Sequence, residues 1–246
     1  MIHISLKSEK IFSFLNFPFT NSLILSIIVL VLSLFVFFYY SKLIERPGKN
    51  IFYYFMTFIL RAIYNLFKSI FNENVTGFFP LVGSFFFFIL IHNEIGLLPG
   101  IGSILIKVTT EGEKHLVPLL RGGTTDLNTT FALALITVIY AQYIGIKFLG
   151  IKEYISKFIN FSNVTAFFVG IMETVSEFSR IISYSFRLYG NIFAGEVVIA
   201  IMAFLFPLLL SFPFLLFEIF VGIIQALVFS MLSAVFYNLA MQKAHY

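Results

Sequence analysis

The run "NSLILSIIVLVLSLFVFFYYS", residues 21–41, carries no charged side chain. At about 1.5 Å per residue it crosses a hydrocarbon core of about 30 Å as one helix, which bonds its own N–H and C=O groups where no water can. Similar apolar runs follow, and the composition agrees: 59% of residues are hydrophobic and 11% charged, with a mean hydropathy of +0.97. The chain therefore reads as an all-α integral membrane protein, a single membrane domain over residues 1–246.

Five membrane-embedded helices are expected, at about 21–41, 77–98, 128–149, 164–206 and 214–241. Between the first two, Thr57, Arg61, Asn65, Lys68 and Asn72 recur every three or four residues. That polar stripe predicts an amphipathic helix over about 50–73 that lies in the interface instead of crossing it. The segments 103–124 and 151–163 read as polar loops, and residues 1–20, which show no small-residue cleavage site, as retained. The run 164–206 contains no proline. Unbroken, it is about 65 Å long, roughly twice the hydrocarbon thickness, so it must tilt, break or project. With the last helix it forms a long, strongly tilted hairpin that turns near Pro207.

An odd number of crossings puts the termini on opposite sides. Lys42, Arg46, Lys49, Arg61, Lys68, Lys147, Lys152, Lys157 and Lys243 fall on one side, and the smaller set Lys7, Lys10, Lys107, Lys114 and Arg121 on the other. The positive-inside bias then predicts an external N-terminus and a cytoplasmic C-terminus. These scattered basic residues form no patch for nucleic acid, so membrane lipid is the expected surround. The chain has no cysteine, hence no disulfide or thiolate metal site. His3, His115 and His245 read as solvent-facing, no metal-ligand spacing occurs, and no metal or other cofactor is expected.

Ionisable residues inside membrane helices are costly and mark ion pathways. On the long fourth crossing, Glu173, Glu177, Arg180, Arg187 and Asn191 are spaced along one side, with Ser183 and Tyr184 filling the gap, and Glu196 follows about half a turn round from Arg187. The last crossing has two strongly polar residues in mid-span, Glu218 and Gln225. In an antiparallel hairpin Glu196 matches Glu218 in height, and Arg187 matches Gln225. Two carboxylates at one depth do not both ionise easily, so Glu196 and Glu218 are expected to share a proton and form a relay. A guanidinium stays charged at any working pH, so Arg187 can attract a carboxylate or repel cations but cannot carry a proton. A permanent ion pair with Glu177 or Glu196 is the structural alternative for Arg187. Gly190, Ala194 and Gly195 leave room for another helix to approach. His92 and Glu94 either line an aqueous inlet or form a pair at a loop edge.

"SEFSRIISYSFRLYGNIFAGEVV" followed by "FEIFVGIIQALVFSMLSAVFY" resembles the a subunit of F-type rotary ATP synthases. "NEIGLLPG" and "TTDLNTTFALAL" resemble two upstream signatures of that family, in order, and "ERPGKN" before an amphipathic helix also fits; the likeness covers about residues 40–243. It implies a proton-translocating stator subunit with two aqueous half-channels, non-catalytic and without a nucleotide site of its own. Its implied partners are the ring of c subunits, the b subunits of the peripheral stalk and the remaining subunits of the complex, in a bacterial plasma membrane more than a mitochondrial inner one. Arg187 would be the essential arginine facing the ring. Glu196, Glu218 and Gln225 would line the outer half-channel, with Asp126 and Asn128 near its mouth; Ser183, Asn191, Glu173 and Glu177 would belong to the inner one. Two positions depart from the family pattern. Members often have histidine at one of the two positions matching Glu196 and Glu218, and "SEFSRII" lacks a proline common before the serine. A secondary transporter or an ion channel with an intramembrane Arg/Glu pathway is the alternative, but a transporter calls for paired repeats that the sequence does not show.

Overall fold

The computed structural model describes residues 8–14, 17–46, 48–98, 100–101, 104–110, 113–158, 164–206, 209 and 211–242. The expectations for His3, Lys7, Pro207, Lys243, His245 and the side chain of His115 fall outside what is described.

Seven α-helices occur among these residues: α1 (Asn21–Glu45), α2 (Ile51–Phe71), α3 (Val75–Leu97), α4 (Leu127–Leu149), α5 (Ile151–Phe158), α6 (Val164–Leu205) and α7 (Ser211–Met241). All except α2 and α5 are long and apolar enough to cross a membrane, as the hydrophobic runs predict. Thr20 caps α1 by accepting from the N–H of Leu23. At the other end Lys49 Nζ donates to the carbonyls of Leu43 and Ile44, at 3.0 and 2.5 Å, which carries the helix past Ser41. Helix α7 begins at Ser211 instead of 214 because Pro213 falls in its first turn, where an absent N–H costs no helical bond.

Two expected loops contain structure. Antiparallel hairpins form from β1 (Lys10–Phe14) with β2 (Phe17–Thr20), and from β3 (Leu105–Thr110) with β4 (Glu113–Pro118), so the chain is helical in its body and not throughout. The second hairpin lies in the expected polar loop 103–124, where β-branched residues of "ILIKVTT" pair with "EKHLVP" from Leu105↔Pro118 to Thr110↔Glu113. The other loop, 151–163, contains α5. Gly150, at φ +84°, ends α4 in a conformation that favours glycine, and α5 folds back so that the Tyr154 ring occupies the place a Cβ on Gly145 would take.

The core is made where α3 packs along α7 and α4 along α6. Phe229 receives the edges of Phe85 and Tyr184, at 5.8 and 5.0 Å between centroids, and Tyr140 meets Tyr237 edge-on at 5.2 Å. Helix α2 lays Ile63, Phe67 and Phe71 against this body and stacks Phe71 on Phe78. Its Arg61, Asn65 and Lys68 are exposed, together with Phe55 and Phe58.

Candidate functional site

Helix α4 separates two polar regions by its own length, about 34 Å for 23 residues. Asp126 lies at one end and α5 at the other. Helix α6 passes both, with Gly170 against the backbone of Phe158 near one end and Glu196 near Arg121 at the other.

At the Asp126 end, segment 121–126 is buried between α1, α3, α4 and α6. A Cβ on Gly123 would lie 2.5 Å from the His92 ring and 2.7 Å from the Ser26 hydroxyl, so only glycine lets this segment pass. Asp126 caps α4 by accepting from the N–H of Asn128 at 2.9 Å. Its other oxygen accepts from Ser22 and Ser8 at 2.7 and 2.5 Å. Burial alone would raise its pKa, but these hydrogen bonds outweigh burial and hold the carboxyl below its ordinary value. Arg121 is buried, donates to Thr125 Oγ1 at 3.2 Å, and brings Nη2 to 3.8 Å from Glu196 Oε2.

Helices α6 and α7 pack antiparallel with the register expected from the spacing, to within a few residues. Asn191 Nδ2 donates to Gln225 Oε1 at 2.9 Å, and the Glu218 carboxyl lies where a Cβ on Gly195 would stand. Glu218 is 3% exposed and borders a groove of about 450 Å³ lined by Asn191, Ala194, Gly195, Val198, Phe214 and Phe217. From α3, Asn93 Nδ2 donates to the carbonyl of Gly222 at 3.0 Å.

Arg187 stands between the two ends. Its Nη2 donates to Ser183 Oγ at 3.1 Å and its guanidinium lies 6.0 Å from the Tyr184 ring centre. Among the described residues no carboxylate lies within ion-pair distance of it, so the ion pair with Glu177 or Glu196 does not form. Those two acids have other cations. Ser183, Asn191 and Ala194 are exposed beside Arg187, and a Cβ on Gly190 would meet nothing within 4 Å.

At the α5 end, Arg180 pairs with Glu177 at 2.6 Å and reaches Glu173 at 4.0 Å, while its guanidinium lies 4.4 Å from the Phe236 ring centre. These groups line a small cavity of about 40 Å³ with Gln142, Tyr154 and Lys157. The Tyr154 hydroxyl donates to Gln142 Oε1, and Lys157 Nζ donates to the carbonyl of Gln242 at 2.9 Å. Burial first, then the charges of Glu177 and Glu173, push the Tyr154 hydroxyl up to about 12; burial lowers Lys157.

The model of the family described as "ATP synthase A chain" matches residues 22–238. The chain belongs to that family. Curated relatives called "ATP synthase subunit a" agree. That of Moorella thermoacetica is 28% identical over 236 residues, 95% of each chain, and that of Syntrophobacter fumaroxidans is 30% identical over 205 residues, 83% of this chain and 76% of the relative. A third, from Desulforamulus reducens, is 42% identical over 126 residues, 48% of this chain and 47% of the relative.

A member of the ATP synthase A chain family is a multi-pass membrane subunit of the complex, and proton transport and ATP synthesis follow from that membership. Within it, the residues singled out by sequence divide into three groups. Asn191, Gln225 and Glu218 come together; Glu173 and Glu177 gather around Arg180; Arg187 and Ser183 face outward. Glu196 turns to Arg121, and the exposed Asn128 serves Asp126 through its backbone N–H and its side chain. Spacing alone missed Arg121, Gln142, Tyr154 and Lys157. The signal for Arg121 was "RGGTTD", two glycines beside a cap residue, which marks a chain segment forced close to its neighbours.

Proposed function

We propose that the chain is the stator half of the proton channel, with Arg187 facing a ring of c subunits and separating two aqueous half-channels. The supporting observation is the isolation of Arg187. It lies near the middle of α6, it meets no acid within the described part of its own chain, and it stands beside the exposed Ser183, Asn191 and Ala194 and the half-buried Gly190, where a Cβ would meet nothing within 4 Å. A guanidinium in hydrocarbon costs several kcal/mol or more. A carboxylate on a passing ring subunit would offset that cost.

In this reading protons arrive from outside past Asp126 and Asn128, reach the group of Glu196, Glu218 and Gln225, and protonate a ring carboxylate. Asn191, which the resemblance assigns to the inner half-channel, is bonded to Gln225 and in this reading joins the outer group instead. After nearly a full turn the ring site meets Arg187, ionises, and releases its proton past Ser183 toward Glu173 and Glu177. Arg187 stays charged throughout, which also blocks a direct cation leak between the half-channels.

The same reading makes residues 1–246 one membrane domain, with α2 in the interface, α6 and α7 tilted together, the N-terminus outside and the C-terminus in the cytoplasm of a bacterial cell. The b subunits of the peripheral stalk would hold it against the ring, and nucleotide chemistry would reside in other subunits. The test replaces Arg187 with alanine in membrane vesicles containing the assembled complex. ATP-driven proton pumping should be abolished; coupled pumping at the wild-type rate would overturn the proposal.

A further inference from the structure

The spacing of α6 and α7 pairs Glu196 with Glu218 as the acids that share a proton. The structure gives each of them a different neighbour. Glu196 extends to Arg121, 3.8 Å away, so its negative charge has a buried cation beside it. Glu218 points to Gly195 on one side, and on the other side its own helix meets α3.

That meeting point is built around Gly222. Asn93 donates to the Gly222 carbonyl, and a Cβ added to Gly222 would lie 3.1 Å from Glu94 Oε1 and 3.2 Å from Asn93 Cβ. Gly222 is one turn from Glu218, and residues four apart share a helix face. The carboxyl of Glu94 therefore reaches α7 on the Glu218 side. One oxygen of each carboxyl is buried without a hydrogen bond from any described residue. Glu94 is half-buried near the end of α3, whereas Glu218 is 3% exposed.

We propose that Glu94 is the proton partner of Glu218, passing to that buried acid the protons it takes from the aqueous side. In the step, the O–H bond of protonated Glu94 breaks as an O–H bond forms on the Glu218 carboxylate, and the negative charge moves from Glu218 to Glu94. Solvent then reprotonates Glu94. Glu196, beside Arg121, remains an anion in the wall of the pathway. Among the other charged groups on the elements packed here, α3 carries His92, α6 carries Glu173, Glu177, Arg180, Arg187 and Glu196, and the segment before α4 carries Arg121 and Asp126. His92 is held by the Phe88 carbonyl and Ser26, and Asp126 by Ser8, Ser22 and Asn128.

The inference rests on the stator-channel reading, and the two fail separately. If Arg187→Ala leaves pumping intact, the channel reading fails; if Arg187→Ala abolishes pumping while Glu94 is neutral, only this inference fails. Proton flux is followed against pH in vesicles with equal amounts of assembled complex for Glu94→Gln, Glu94→Asp, Glu196→Gln, Glu218→Gln and the two doubles with Glu218→Gln. Glu94→Gln should lower flux about tenfold or more and change the pH profile, with Glu94→Asp restoring part of both. The Glu94/Glu218 double should be little worse than either single, while Glu196→Gln should add its own loss. Wild-type flux and pH profile in Glu94→Gln, or equal losses in Gln and Asp that add to the loss from Glu218→Gln, would overturn it. If Glu94→Gln does not assemble, Glu94→Asp decides against Glu94→Asn: recovery with Asp alone supports the proposal, and equal behaviour overturns it.

Discussion

A methyl group added at Gly195 would overlap the Glu218 carboxyl, whereas one added at Gly190 would meet nothing within 4 Å. The sequence presents both as small residues on one helix, and small residues in membrane helices let neighbours approach. The structure separates them: Gly195 makes room for an acid of its own chain, and Gly190 keeps an open surface beside Arg187. The two alanine variants should therefore differ in kind. Gly190→Ala should leave the isolated subunit as stable as before, or about 1 kcal/mol more stable since alanine favours the helix, yet lower ATP-driven pumping if the ring packs there. Gly195→Ala should displace the Glu218 side chain and lower flux in proportion to that shift, with assembly retained because a flexible carboxyl can move. Thermal unfolding of the purified subunit read beside vesicle pumping distinguishes the two, and unchanged pumping in Gly190→Ala would remove that glycine from the ring contact.

At the scale of elements, periodicity carried the α6–α7 register and lost the contacts. Matching heights placed Arg187 with Gln225 and Glu196 with Glu218, but successive residues on a helix turn by about 100°, so the side chains that meet are Asn191 with Gln225 and Gly195 with Glu218. Helix α5 was illegible because eight residues carry too few periods, and its anchor, Tyr154 against Gly145, depends on a fold-back that no local pattern encodes. Arg121 looked like a topology-setting charge because burial of its segment comes from four other elements. Asp126 caps α4, and its hydrogen bonds to Ser8 and Ser22 tie the start of α1 to the start of α4. Its pKa is lowered in the folded chain, so its contribution to stability is present above the ordinary carboxylate value near about 4 and is lost as pH falls through the lower folded value. Asp126→Ala should destabilise by about 1 kcal/mol or more at neutral pH. The gap from wild type in thermal unfolding should narrow on acidification below about pH 4. A gap that stayed constant with pH would mean that the carboxylate charge contributes nothing.

Over the whole molecule, the two polar regions are held apart by the length of α4, and their assignment to the two sides of a membrane follows from charge distribution. Hairpin β3–β4 and segment 121–126 belong to the Asp126 end; α5, with Lys152 and Lys157, belongs to the other. The positive-inside bias puts α5 in the cytoplasm and the hairpin outside. In the proposed reading that orientation would also set the direction of the pathway, with the Glu218 group as external inlet and the Arg180 group as internal exit. The absence of cysteine makes a direct test possible, because one introduced thiol is the chain's sole target for a membrane-impermeant maleimide. Thr110→Cys in β3 and Ser156→Cys in α5 suit this, since the two positions lie in the two end regions and the Ser156 hydroxyl bonds back to the Glu153 carbonyl of its own helix. In right-side-out vesicles Thr110→Cys should label and Ser156→Cys should not; in inverted vesicles the pattern should reverse. The opposite result would exchange inlet and exit: Glu173, Glu177 and Arg180 would then receive protons from outside, and Glu94 and Glu218 would release them.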